Sequence, residues 1–250
     1  PAPYWANSGN YYAGLDADKN ITAEGVLIQD YSYLPTREEI KSEISSMSGK
    51  DLKHAWLRWF DHAVGAVIDK LEEKGKLDNT LIIITSDHGD FNKAKATNYE
   101  GGIKVPLMMY WKDGIVSSGT YDELVQNIDF GPTFLDIAGV DITNTDMDGK
   151  SLKQVLVNNS QEPIHDYLFF ELGYSRAIRT KDWKYVTVRY TDAINEQIAN
   201  GQTFNGPNQT QVLLPYYIPN VSLGSLAANQ YPLYNVKDQL FDLNSDPYET

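Results

Sequence analysis

Leu81-Ile82-Ile83-Ile84 is a run of large apolar side chains with no alternation, and it stops at the polar cluster Thr85-Ser86-Asp87-His88-Gly89-Asp90. Continuous apolar runs of this length suit a strand buried on both faces, as in a parallel sheet covered by helices. The polar cluster then falls at the carboxyl end of the strand, where ligands bind in open α/β sheets. Upstream the period changes. Trp56, Phe60, Val64, Val67 and Leu71 recur every three or four residues and form one stripe of an amphipathic helix. Ser48 and Asp51 mark its start. Lys74-Gly75-Lys76 supplies the stop, with cations near the negative helix end. A shorter helix precedes it, with Thr36 and Glu39 as a capping box.

Downstream, Val105 to Trp111 is again nearly continuous in apolar residues and reads as the next strand, with Leu124 to Ile128 as a further one. Asp129 then caps a helix that runs through Pro132 to Ala138 and ends at Gly139. The character changes near residue 160. Tyr167 to Glu171, Arg176 to Arg179 and Trp183 to Tyr190 are aromatic and β-branched strands, the last one alternating. Residues 1–50 are otherwise irregular, with Val26-Leu27-Ile28 as a short strand. Residues 191–230 are polar and read as a long insertion without regular structure. The pattern predicts an α/β chain with residues 1–160 in a main domain and 161–250 in a smaller β-rich subdomain.

Charge narrows the function classes. Lys+Arg total 21 against 34 Asp+Glu, a formal charge of −13. This argues against nucleic-acid or anionic-membrane partners. An anionic substrate therefore needs a local positive centre. The chain has no cysteine, hence no disulfide framework and no thiol nucleophile. No apolar run reaches membrane-spanning length. The first residue is Pro1, so the chain reads as a piece of a longer precursor. Sequons at Asn20, Asn158, Asn208 and Asn220 are compatible with export.

Asp87 and His88 are the candidate chemistry. A carboxylate and a neutral imidazole side by side at a strand end both offer lone pairs to a cation. The bland alternative is a solvated Ser-Asp-His-Gly turn. His54 and His62 lie on the helix and read as surface or packing residues.

Lys95-Ala96-Thr97-Asn98-Tyr99-Glu100-Gly101-Gly102-Ile103-Lys104-Val105-Pro106 follows within twenty residues. With Ser86-Asp87-His88-Gly89, this resembles the sulfatase family of the alkaline-phosphatase superfamily. Asp61 with Val64-Gly65, the run from Ile128 to Val140, Asp148-Gly149-Lys150-Ser151-Leu152, and Gln239 to Glu249 also resemble that family. The resemblance implies an alkaline-phosphatase-like mixed sheet flanked by helices, with a smaller C-terminal antiparallel sheet. It implies that Asp87 and His88 hold a divalent cation, usually calcium, together with two acidic residues from nearer the enzyme's N-terminus. It implies that Lys95 contacts the sulfate. A metal ion and a fixed ammonium are what charge developing on a breaking S–O bond requires.

One departure is large. The sulfatase nucleophile is a formylglycine made within a C/S-x-P-x-R motif, and no such motif occurs in this sequence. The two upstream carboxylates and the family's catalytic histidine have no match either. The expected protein is therefore the C-terminal part of a sulfatase, lacking the first strands. It is expected to be inactive alone and stable only beside the missing N-terminal part. The whole enzyme is expected to act on a sulfated glycan or small sulfate ester after export, to a periplasmic, extracellular or lysosomal location. Two alternatives stay open. One is a phosphodiesterase or phosphonate hydrolase of the same superfamily, which Lys95 with Tyr99-Glu100-Gly101-Gly102 argues against. The other is an inactive sulfatase-like module used for glycan binding. In the enzyme reading, residues 1–35 and 191–230 are the candidate variable loops of the leaving-group pocket.

Overall fold

The computed structural model describes residues 21–22, 25–26, 33–35, 37–49, 54–89, 97–200, 231, 233–234 and 236–249. Thr36, Asp51 and Lys95 lie outside the described residues, as do 201–230. The chain divides into two compact units, Pro1–Thr80 and Leu81–Thr250.

In the first unit a short pair, β1 (Ile21–Thr22) and β2 (Gly25–Val26), is antiparallel. Helix α1 (Arg37–Ser46) packs on α2 (Ala55–Glu73). Ile40 and Ile44 bury against Ala55 and Trp59, so the contact uses the first turns of α2. Glu43 ties the two helices together: it accepts from Arg58 and lies 3.0 Å from His62 Nε2. The His62 hydrogen bond, followed by that from Arg58, holds the Glu43 carboxyl below its ordinary range. His62 is thus a packing residue, as the sequence suggests. The stop of α2 also matches. Gly75 adopts φ +60, and the amides of Gly75 and Lys76 return to Glu72 and Leu71, each at 2.8 Å. Glycine enters that left-handed conformation without the Cβ penalty. The apolar stripe of α2 departs from expectation. Phe60 and Val67 are exposed, and Val64 and Leu71 are only half-buried.

In the second unit β3 (Ile82–Thr85) pairs antiparallel with β4 (Leu107–Tyr110), Ile83 opposite Met109. Ile82, Ile83 and Ile84 are half-buried. This differs from the doubly buried parallel strand that the unbroken apolar run suggests. The short helix α3 (Glu100–Ile103) lies between the two strands and returns the chain. Leu124 to Ile128 forms no strand. The Asp129 carboxylate accepts the Gln126 amide at 2.7 Å and curls Asn127–Asp129 into a 3-10 turn. Helix α4 (Phe130–Ile137) follows and stops at Gly139, φ +82, as expected. Asp129 stands at the N-cap position of α4, as the sequence suggests, but its side chain makes no cap hydrogen bond. Its other oxygen accepts the Lys150 amide at 2.8 Å and contacts His165 Nε2 at 2.9 Å. The Asp148–Leu152 segment is thereby laced to α4, and Thr133 Oγ1 extends the lacing by accepting the Leu152 amide. Helix α5 (Lys153–Asn158) continues from it.

The C-terminal sheet has four antiparallel strands in sequence order: β5 (Leu168–Leu172), β6 (Ser175–Arg179), β7 (Trp183–Val188) and β8 (Asp238–Asp242). Strand β7 alternates, with Lys184, Val186 and Val188 buried and Trp183 and Tyr185 exposed. A further helix, α6 (Asp192–Ala199), stands where the sequence suggests only irregular chain.

Candidate active site

Asp87 and His88 follow directly on β3, at its carboxyl end. The Asp87 side chain is 84% exposed and that of His88 is 32% exposed. His88 Nε2 stands 3.3 Å from Asp87 Oδ2, and the His88 amide donates to Asp87 Oδ1 at 3.1 Å. His88 Nδ1 lies 2.8 Å from the Gly89 carbonyl oxygen. A carbonyl only accepts, so Nδ1 carries the hydrogen. Nε2 is the ring nitrogen that faces the carboxylate, and its lone pair is the one a cation could take. Ser86 Oγ donates to the His88 carbonyl at 3.0 Å and holds the turn. Among the described residues no cluster of three or more potential metal ligands forms. Among the described residues the structure thus brings two cation donors together.

Gly89 seats this strand end on the Tyr99-Glu100-Gly101-Gly102 turn. Its amide donates to the Gly102 carbonyl at 2.8 Å. A Cβ at Gly89 would lie 2.4 Å from the Gly101 oxygen and 2.9 Å from that of Lys104. The glycine is therefore required by close backbone approach, where the sequence alone suggests a sharp turn.

The turn itself is bolted to the C-terminal sheet by three successive side chains. Asn98 Nδ2 donates to Ser175 Oγ on β6 at 3.0 Å. Tyr99 stacks on Tyr231 with ring centroids 4.0 Å apart, and its hydroxyl donates to Gln239 Oε1 on β8 at 2.7 Å. Glu100 Oε1 accepts from Arg179 Nε at 2.9 Å and from the fully buried Lys184 Nζ at 3.2 Å. Lys184 Nζ also lies 2.9 Å from Glu249 Oε1, an ion pair set off the line of a hydrogen bond. Glu249 Oε2 accepts the Glu100 amide.

Burial raises the Glu100 carboxyl, but Lys184 and Arg179 pull it below its ordinary value. For Glu249 burial prevails over Lys184, and its carboxyl is raised. Burial also pushes the Tyr99 hydroxyl well above the usual tyrosine value.

Sequence reasoning placed Asp87 and His88 at a strand end, and they stand there. It did not single out Glu100, Arg179, Lys184 and Glu249 as one cluster. A signal for Lys184 is visible in retrospect: it shares the parity of Val186 and Val188, the apolar face of an alternating strand. A lysine in register with buried valines needs a buried partner.

A family model for sulfatases matches residues 33–140. An arylsulfatase of Hemicentrotus pulcherrimus is 30% identical over 201 residues, covering 75% of this chain and 34% of that protein. The chain belongs to the sulfatase family. An N-acetylglucosamine-6-O-sulfatase of Bacteroides thetaiotaomicron is 34% identical over 142 residues, 50% of this chain and 25% of its own length. Among solved structures, one in complex with its substrate D-glucosamine-2-N,6-O-disulfate is 25% identical, with a TM-score of 0.51. That match covers 78% of this chain and 34% of the solved one. The sulfatase chain therefore spans about a third or less of the length of these relatives. Among its described residues no helix is long and apolar enough to cross a membrane.

Proposed function

We propose that the protein to which this sulfatase chain contributes hydrolyses sulfate esters of a sulfated carbohydrate. Asp87 and His88 would hold a divalent cation, calcium by family resemblance. Lys95 would bind the sulfate group. The observation that carries the reading is the Asp87–His88 pair. An exposed carboxylate oxygen and an imidazole nitrogen stand 3.3 Å apart, and the other ring nitrogen is already committed to the Gly89 carbonyl. Carboxylate oxygen and imidazole nitrogen suit a divalent cation, and the fixed ring tautomer favours coordination through Nε2. Two donors make up half of a site, so further carboxylates would have to come from outside the described residues. A bound cation would neutralise charge on the sulfate oxygens as the S–O bond breaks. The nucleophile would be a formylglycine contributed from outside this sequence, which contains no C/S-x-P-x-R run.

The carbohydrate part of the proposal draws on the relatives, one of which is named for N-acetylglucosamine-6-O-sulfate and one of which was solved with a disulfated glucosamine. Export to a periplasmic, extracellular or lysosomal location is proposed with it and is consistent with the four sequons. The test uses the full-length protein, with calcium binding by calorimetry and turnover of 6-sulfated N-acetylglucosamine as readouts. Asp87→Ala should abolish both. Lys95→Ala should lower turnover much more than it changes calcium affinity or melting temperature. Near-normal turnover in Asp87→Ala removes Asp87 from the site. Faster cleavage of a phosphodiester than of the sulfate ester favours phosphoryl transfer.

A further inference from the structure

The strand end at Asp87 and His88 and the buried side chain of Glu249 are joined by an unbroken line of contacts within the second unit. Glu249 Oε2 accepts the amide of Glu100, the first residue of α3. Two residues later the Gly102 carbonyl accepts the Gly89 amide at 2.8 Å. The Gly89 carbonyl in turn accepts the His88 Nδ1 hydrogen at 2.8 Å. Each link fixes the next. The Glu100 amide sets the position of the turn, the turn sets Gly89, and Gly89 sets the orientation of the imidazole.

Glu249 is built for this place. Its side chain is 0% exposed, and Lys184, equally buried, stands beside it at 2.9 Å. Its backbone adopts φ +59, the left-handed region that a glutamate enters only at a cost. Strain at a buried, charged residue persists only where surrounding contacts over-determine it. Here those contacts are the Lys184 ammonium and the Glu100 amide.

We propose that Glu249 is a positioning residue for the Asp87–His88 pair, acting through the Glu100 amide, the Gly102 carbonyl and Gly89. The proposal rests on the reading of Asp87 and His88 as cation ligands. Its physical content is that of an outer support to a ligating histidine. Removing such supports typically weakens metal affinity or activity by about 10- to 100-fold.

The test again uses the full-length protein, with calcium alone as the binding probe and a 6-sulfated N-acetylglucosamine for kcat and KM. Glu249→Ala should weaken calcium binding about tenfold or more and lower kcat with little change in KM. Glu249→Gln keeps an acceptor for the Glu100 amide, and should restore most of both. Wild-type calcium affinity and kcat in a folded Glu249→Ala protein overturn the proposal, even if its melting temperature falls. Should Glu249→Ala fail to fold, the double variant Glu249→Ala with Lys184→Met removes the stranded ammonium as well. Wild-type calcium affinity in that background is equally decisive against the proposal. Asp87→Ala separates the two levels. Calcium binding unchanged by Asp87→Ala overturns the site reading and the positioning role together. Binding lost in Asp87→Ala but intact in Glu249→Ala overturns the positioning role alone.

Discussion

Lys184 and Glu100 meet at 3.2 Å with the lysine fully buried, and this contact joins the C-terminal sheet to the turn that seats Gly89. Breaking a buried ion pair by removing one partner costs far more than the pair contributes, because the other charge is left in a poorly solvating environment. Lys184→Met leaves Glu249 without its cation and Glu100 with Arg179 alone. The expected loss is about 3–5 kcal/mol, measured by urea denaturation of the full-length protein. Glu249→Ala together with Lys184→Met should cost less than the sum of the two single changes. An additive double-mutant cycle would show that the pair is uncoupled.

Gly89→Ala tests the close approach. The added methyl meets two backbone carbonyl oxygens, which cannot swing aside as a flexible side chain would. Overpacking of this kind costs about 1–3 kcal/mol. It should also weaken calcium binding, because the strand end must lift off the Glu100–Ile103 turn. Unchanged affinity in Gly89→Ala would mean that the seat does not transmit to His88.

Asp129 offers a sharper contrast between isosteres. One of its oxygens accepts the Lys150 amide and contacts His165, while the other accepts the Gln126 amide. Asparagine has one accepting oxygen, so Asp129→Asn sets its amide group against a backbone N–H. The expected cost is about 1–3 kcal/mol, with kcat unchanged in the folded protein. His165→Ala removes one of the three contacts and should cost less. A thermal melt of the two variants ranks them, and equal melting temperatures would contradict the geometry.

The two buried glutamates predict opposite pH dependences. The Glu100 carboxyl is held below its ordinary 4.5, so its contribution is present above pH 4.5 and is lost as the pH falls through the lower folded value. The Glu249 carboxyl is raised above 4.5, so its contribution is present below pH 4.5 and is lost as the pH rises through the higher folded value. Glu100→Gln should therefore lose ground to wild type as the pH rises through this range, and Glu249→Gln should gain ground. Denaturant midpoints between pH 3 and pH 7 provide the comparison, and parallel curves for the two variants would contradict the assignment.

Much of the local structure was legible in the residues. The alternation of Trp183 to Val188, the glycine stops at Gly75 and Gly139, and the strand ending at Asp87 are all short-range patterns, set by steric limits on each φ and by the period of each element. Leu124 to Ile128 misled, because a strand-like composition cannot show that the Asp129 carboxylate will draw the Gln126 amide into a turn. The polar segment at Asp192–Ala199 misled in the other direction, since a short helix needs little apolar periodicity. The exposed stripe of Phe60 and Val67 shows that periodicity specifies a face without specifying what covers it.

By itself, then, the sequence determined most of the element types, the place of Asp87 and His88 at a strand end, and the family motifs around them. Only the tertiary structure decided why those motifs belong together. Glu100 lies 79 residues from Arg179, 84 from Lys184 and 149 from Glu249, yet all four charges meet in one buried cluster. No local propensity encodes such a meeting. It exists because a charge taken out of water must find its opposite, and Glu100 finds Arg179 and Lys184 on strands of the folded sheet.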